Sequence, residues 1–365
     1  MEFGLSEDQK LLQESIGGTL EKVSPLERVR EAADKGEKQA ADIVRALAEL
    51  GVYGMMVPEE HGGLGLGLLD AALVAEMLGR HVAPAGFIAT AVMAPIALAG
   101  AGSKAQQEAW LAKLASGEAK AGAAIAEAAS GAREGAGVTA TGGKLSGKSL
   151  FALEAEEADI IIVADKAGGL HLVKGDAKGL TKVKLTSIDL TRGLTELQFD
   201  NVEAEPLSSG DAAVTLRRLT DAGRVMLAAD TLGAGWMMIE KAVEYAGERK
   251  QFGRVIGSFQ AVKHMCAEMA SELEPCRSLI WYAGHAFDTM PEEASLMAAH
   301  AKALTSEVGR FVARTATEVH GGMGFTDLLG LHYWFKRIGL NRQLLGSPER
   351  VRHEAAALQG WVAAD

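Results

Sequence analysis

Between Asp211 and Asp288 the chain contains a single proline, Pro275, and its apolar residues recur at the 3.6-residue spacing of helices. That stretch predicts long helices whose apolar stripes must be covered by other elements. Upstream the texture differs. Ile160-Ile161-Ile162-Val163 is a β-branched run, and Leu170, Leu172, Val183, Leu185, Leu197 and Phe199 fall in short segments of period-two character. Thr141-Gly142-Gly143-Lys144 supplies a turn between such segments.

The first third reads as helical again. Ser6-Glu7-Asp8-Gln9 is a capping box followed by Leu12, Ile16 and Leu20 at helical spacing. Ile43, Leu47 and Leu50 share a face that ends at Gly51, and Ser103-Lys104-Ala105-Gln106 opens a helix running towards Gly117. This order predicts an α+β multidomain chain. A helical N-terminal domain spans 1–119, a middle antiparallel β domain 120–210, and a C-terminal domain resembling a four-helix bundle 211–365.

Composition narrows the function classes. A formal net charge of −11 argues against nucleic acid, since phosphate binding needs a basic face. Cys266 and Cys276 are too few for a disulfide framework and lack metal-ligand spacing, so a reducing cytoplasm and no metal are expected. The opening residues carry no basic segment, so no secretory signal is expected. His81 to Ser103 holds no formally charged residue, but it is rich in Ala and Gly and broken by Pro84 and Pro95. A buried helix pair is expected there rather than a membrane span.

Three glycine-bearing segments stand out, two as candidate ligand seats and one as a structural turn. Tyr245-Ala246-Gly247-Glu248-Arg249-Lys250-Gln251-Phe252-Gly253 runs on through Gly257 to Gln260 and His264. A turn there would expose the Gly253 and Gly257 amides beside the Arg249 guanidinium, a seat suited to a pyrophosphate; the residues by themselves also fit a helix-turn-helix surface with no ligand, the more common case for a short glycine motif. Val319-His320-Gly321-Gly322-Met323-Gly324 is a second glycine turn, which taken alone reads as a helix C-cap with a bend. Val57-Pro58-Glu59-Glu60-His61-Gly62-Gly63 is a third, with no chemistry assigned to His61.

Together with Glu76-Met77-Leu78-Gly79-Arg80, these segments resemble the acyl-CoA dehydrogenase family along almost the whole chain. The resemblance implies that family's fold, an FAD cofactor, an acyl-CoA substrate and electron-transferring flavoprotein as oxidant. It places Arg249, Gln251, Phe252, Gln260, Glu318, Gly321 and Gly322 on the cofactor, with the glycine turn touching the adenosine end of FAD held by a neighbouring subunit. Glu318 stands where the family usually has Gln. In the middle domain, Ala126-Glu127 through Gly131 matches a stretch that runs along the flavin. Phe151 takes the place of the family's aromatic, and Leu153 that of a hydroxyl residue which hydrogen-bonds the ring.

The same resemblance exposes a loss. The family's reaction removes an α-proton with a Glu while the β-hydrogen leaves as hydride to the flavin. A dry pocket raises that Glu's pKa towards the task. One family position for the Glu precedes a Gly-Thr pair, and here Gly346-Ser347 follows Leu345. The other immediately precedes an Arg on the long helix, and here Gly223 precedes Arg224. Neither Leu345 nor Gly223 can accept a proton. Two carboxylates lie near in sequence. Asp221 is turned roughly 200° from Gly223 around a helix, and Glu349 reaches the site only if the chain after Leu345 is helical.

Three functions stay open at this point. The chain is a non-catalytic subunit of a heteromeric acyl-CoA dehydrogenase, partnered by a homologous Glu-bearing subunit in a heterotetramer. Alternatively it is a self-sufficient homodimeric or tetrameric dehydrogenase with a relocated base. The third option is a flavin oxidase or monooxygenase on the same fold. Fatty-acid or steroid side-chain oxidation is the expected setting.

Overall fold

The computed structural model describes residues 4–363. In the N-terminal block, α1 (Glu7–Val23) begins at the Ser6 capping box, where Gln9 N donates to Ser6 Oγ and Ser6 N to Gln9 Oε1. It buries Ile16 and Leu20. Next come α2 (Leu26–Lys35) and α3 (Ala41–Glu49), and the chain leaves α3 through Gly51 at φ 75°, a left-handed angle that glycine adopts without strain. The helix α4 (Leu68–Arg80) is buried almost all round.

The uncharged segment after His81 folds differently from the expected helix pair. An irregular turn through Val82 and Gly86 leads into one helix, a π-helical stretch (Ile88–Met93) continuous with α5 (Ala94–Ala101). Pro95 lacks an N–H and sits where the π turn passes into α-helix, so the wider turn falls at the point where a regular bond would be missing anyway. The helix is buried from Ile88 through Leu98, with Ala99 and Gly100 exposed near its end, and among the described residues no helix is long and apolar enough to cross a membrane. The second capping box, at Ser103, starts α6 (Lys104–Ala115).

The middle region contains β1 (Ala121–Ala124), the short helix α7 (Ala126–Ser130), β2 (Gly137–Thr141), β3 (Lys144–Leu153) and β4 (Ile160–Ala164). It continues with β5 (Leu170–Lys174), β6 (Leu180–Lys184), β7 (Leu194–Glu203) and β8 (Glu205–Pro206). The strand order is β6-β7-β3-β1-β4-β5-β8, with β2 paired to β3. Pairing is antiparallel except between β1 and β4, which run parallel. The exception arises because the chain leaves β3 on one side of β1 and returns as β4 on the other. That puts the run Ile160–Val163 in the sheet interior, where every residue of β4 is buried.

The C-terminal block is built on α8 (Ala212–Glu248), capped by Asp211 Oδ1, which accepts from the N–H groups of Ala213 and Val214. A small hairpin, β9 (Lys250–Gln251) and β10 (Arg254–Val255), leads to α9 (Gln260–Thr289), which carries Pro275 inside it, and then to α10 (Pro291–Val319). The helices α11 (Leu331–Gln343) and α12 (Pro348–Leu358) close the chain. The α8 helix crosses α4 in backbone contact: a Cβ at Gly233 would overlap the Glu76 carbonyl, and one at Gly79 the Asp230 carbonyl. Asp230 also accepts hydrogen bonds from Arg192 (3.0 Å), Arg337 (3.0 Å) and Asn341 (2.6 Å), joining the sheet region, α8 and α11 through one buried carboxylate.

Candidate functional site

Between the sheet and the C-terminal block lies a cleft of about 820 Å³, within the range of small-molecule sites. Its floor is set by Glu127 on α7. Glu127 Oε1 accepts from the Leu150 N–H at 2.6 Å and Oε2 from Ser149 Oγ at 2.7 Å, which fastens α7 to β3. Just beyond, the β3–β7 register shifts between Ser149 and Ala152, and Phe151 takes φ 56°. A bulge of this kind re-aims a side chain, and Phe151 lines the cleft. The Arg133 guanidinium stands 5.1 Å from the Phe151 ring centre.

The opposite wall is the loop between α11 and α12. Leu345 at φ 55° and Gly346 at φ 107° make two consecutive left-handed residues, and the leucine bears the strain. Three cationic groups hold this loop. Arg224, on α8 and 4% exposed, donates from Nε to the Leu345 carbonyl at 2.9 Å and from Nη2 to the Ala129 carbonyl at 3.3 Å. It also pairs with Glu354 at 2.6 Å. Behind the loop, the buried Lys302 donates to the Asn341 and Arg342 carbonyls at 2.7 and 3.1 Å, covering the C-terminal end of α11. Burial with Arg224 and Arg342 nearby lowers the Lys302 ammonium to about 7. Arg342 itself donates to Glu307 and Glu349.

The two positions expected to hold a base face one spot. A Cβ built at Gly223 would overlap Leu345 Cδ1, so the leucine occupies the space that a side chain at Gly223 would enter. Neither neighbouring carboxylate lines the cleft. Asp221 points to α10, where its Oδ2 accepts from Ser295 Oγ at 2.6 Å, and burial pushes its carboxyl up. Glu349 lies in the first turn of α12, so the chain there is helical as its candidacy required, but the side chain is exposed. Hydrogen bonds from its own backbone N–H, from Ser347 and from Arg342 pull its pKa down to about 2. A carboxylate held that acidic is a poor acceptor for a carbon-bound proton.

The remaining sequence-derived residues gather elsewhere, on an exposed face. The turn Phe252-Gly253, with φ of 52° and 79°, closes the β9–β10 hairpin, a ladder that the sequence reading had as a plain turn between helices. Phe252 is 93% exposed, and Arg249, Gln251 and Gln260 are exposed beside it. Glu318, Gly321 and Gly322 are exposed too. Tyr245, in the last turn of α8, stacks on His320 with ring centres 4.7 Å apart, which brings hairpin and glycine turn together. The cleft thus collects Phe151 and Leu345 with Gly223 behind them, while the other seven form a separate surface.

The cleft residues fit a flavin. Leu153, Leu185 and Leu194 offer apolar walls for a ring system, Phe151 an aromatic edge, and Arg133 and Arg350 cationic charge for a pyrophosphate. A Cβ at Gly131 would stand 2.9 Å from Arg350 Nη1, so glycine keeps that approach open. Leu153 supplies no hydroxyl to the ring. Arg133 follows closely on the matched stretch ending at Gly131 and is traceable from it. Arg350 looks like any helix-surface cation in the sequence, and nothing local marks it.

Comparison with known proteins places the fold. Residues 6–118 match the acyl-CoA dehydrogenase N-terminal domain and residues 212–357 the acyl-CoA dehydrogenase C-terminal domain. The chain is 30% identical to acyl-CoA dehydrogenase IpdE2 of Mycolicibacterium smegmatis, over 95% of this chain and 98% of that one. Among solved structures, the ChsE4-ChsE5 complex from Mycobacterium tuberculosis superposes with a TM-score of 0.90 at 25% identity, covering 100% of each chain. The steroid acyl-CoA dehydrogenase Tcur3481-Tcur3483 gives 0.88 at 27% identity, over 97% of this chain and 98% of that one. With both helical blocks matched and a relative aligned end to end, the chain belongs to the acyl-CoA dehydrogenase family of oxidoreductases.

Proposed function

We propose that this chain is the non-catalytic subunit of a heteromeric acyl-CoA dehydrogenase acting on a bulky, steroid-like acyl-CoA, with a homologous Glu-bearing subunit as partner. The observation that carries this reading is the pair Leu345 and Gly223: both base positions are apolar, and the first fills the space of the second. Asp221 and Glu349 lie outside the cleft, which speaks against a relocated base. The likeness to a two-chain complex and to a steroid dehydrogenase supports the heteromer and the substrate class.

When bound, FAD would supply the hydride acceptor and electron-transferring flavoprotein the onward oxidant. This chain's own residues would then do two things. In the cleft, Phe151, Arg133 and Arg350 hold and orient the cofactor. On the exposed face, Arg249, Gln251, Phe252, Gln260, Glu318, Gly321 and Gly322 complete the cofactor site of the neighbouring subunit.

Expression of the chain alone, followed by anaerobic addition of an acyl-CoA panel, tests the reading. No bleaching of the visible flavin band is expected until a Glu-bearing homologue is co-expressed. A flavin-loaded homo-oligomer that bleaches and turns over acyl-CoA by itself would sink it.

A further inference from the structure

We propose that the fold contains a built site for one ordered water molecule, held between the buried Arg192 guanidinium and the buried Glu154 carboxyl. The site is independent of what the cleft binds.

Glu154 follows the last residue of β3 and takes φ 56°. Its Oε1 accepts from the Ile88 N–H at 3.1 Å and its Oε2 from the Ala89 N–H at 2.8 Å, so one carboxyl caps the first turn of the π-helical stretch. Each carboxyl oxygen can accept more than one bond, so these leave capacity on both. Arg192 lies between β6 and β7 and donates from Nη2 to Asp230 at 3.0 Å. Among the described residues its buried Nε has no hydrogen-bond partner, although the residue is only 7% exposed. Native folds rarely leave such a donor unmet, because the desolvation cost is not recovered.

The two groups are near one another without touching. Burial raises the Glu154 carboxyl, and the Arg192 charge is foremost among the influences that pull it back, yet Arg192 forms its ion pair with Asp230 and not with Glu154. Both residues line one cavity of about 20 Å³, somewhat above the roughly 10–15 Å³ that a single water needs. A polar pair held apart across a space of that size is the setting in which water bridges.

Charge argues for a neutral occupant. Lys38, Arg192 and Arg337 line the cavity with Glu154 and Asp230, and Arg337 also pairs with Asp189 at 2.9 Å, so the formal charges balance. Water serves both partners, since it accepts from a guanidinium N–H and donates to a carboxyl oxygen. The bridge links the Asp230 cluster to the cap of the π turn. It does so next to the cleft, because Leu153 and Leu194, partners across β3 and β7, line that wall.

Crystals of the full-length chain, at a resolution that shows ordered water, test the proposal. One spherical peak is expected within about 2.7–3.2 Å of both Arg192 Nε and a Glu154 oxygen. The peak should persist in data collected at room temperature, since bonds to buried groups and not freezing hold it. A second crystal soaked in sodium bromide and measured at the bromine absorption edge is expected to show no anomalous peak there. Absence of the water peak, its loss at room temperature, or a direct Arg192–Glu154 pair overturns the proposal. An anomalous peak overturns it too, and replaces the water with a bound anion.

Discussion

Arg224 Nε donates to the carbonyl of Leu345 across 2.9 Å, so the residue after Gly223, one of the two positions expected to hold a base, directly holds the backbone of the other. The same guanidinium reaches the Ala129 carbonyl and the Glu354 carboxylate, and through them both walls of the cleft. Arg224→Met keeps the apolar stem and deletes all three bonds. The expected loss is about 2–3 kcal/mol, the scale of hydrogen bonds to a charged group. Urea denaturation measures it, and a loss within experimental error would show that the loop holds itself.

Lys302 sets a pH dependence. Its folded pKa, about 7, lies below the ordinary lysine value, so between pH 7 and about 10 the unfolded chain binds the extra proton and the folded chain does not. Stability from this group therefore rises with pH across that window, and its cost is fully present below it. Denaturation curves of the unaltered chain and Lys302→Met, recorded from pH 6 to about 10, should diverge in favour of the unaltered chain as pH rises, by an amount on the order of 1–3 kcal/mol. A constant difference would mean that the buried amine keeps its charge throughout.

Two glycines on α8 make opposite predictions. A methyl at Gly233 meets the Glu76 carbonyl, a backbone atom that cannot swing aside, so Gly233→Ala should cost about 3 kcal/mol or more. At Gly247, in the last turns of the same helix, a Cβ meets nothing within 4 Å. Gly247→Ala should therefore stabilise by about 0.5–1 kcal/mol. Thermal melts of both variants check the pair, and equal effects would contradict the helix crossing.

The exposed face should separate stability from cofactor retention. Phe252→Ser and Arg249→Ala touch no core residue, so each should leave stability within about 0.5 kcal/mol of the starting protein. If this surface completes a neighbour's cofactor site, flavin content of the co-expressed complex should fall about tenfold or more, the effect of losing one interface anchor. Flavin absorbance per mole of complex, read beside a melt, distinguishes the two.

How much of this was legible depends on whether the signal is local. The capping boxes at Ser6 and Ser103 mark their helices because the cap bonds join residues three apart. The β-branched run at Ile160 marks a buried strand, but its parallel pairing to β1 depends on where a distant strand returns. Leu345 and Gly223 can be singled out as the positions expected to hold a base because each sits beside a family motif. That they face one another, with Met93 beside them, follows only from the crossing of three elements far apart in sequence. The π turn and the bulge at Phe151 likewise have no local signature, since both arise from packing.

The Asp230 carboxylate carries a consequence for how the molecule comes apart. Arg192 from the sheet region and Arg337 from α11 are both buried and both pair with this acid, Arg337 pairing with the buried Asp189 as well. A fragment that ended before α8 would leave Arg192 without it, and one that lacked the sheet would empty one side of the cluster. Heating should therefore give a single sharp endotherm rather than stepwise loss of sheet and helices, and excision of the strands as a separate module should yield a chain that does not fold.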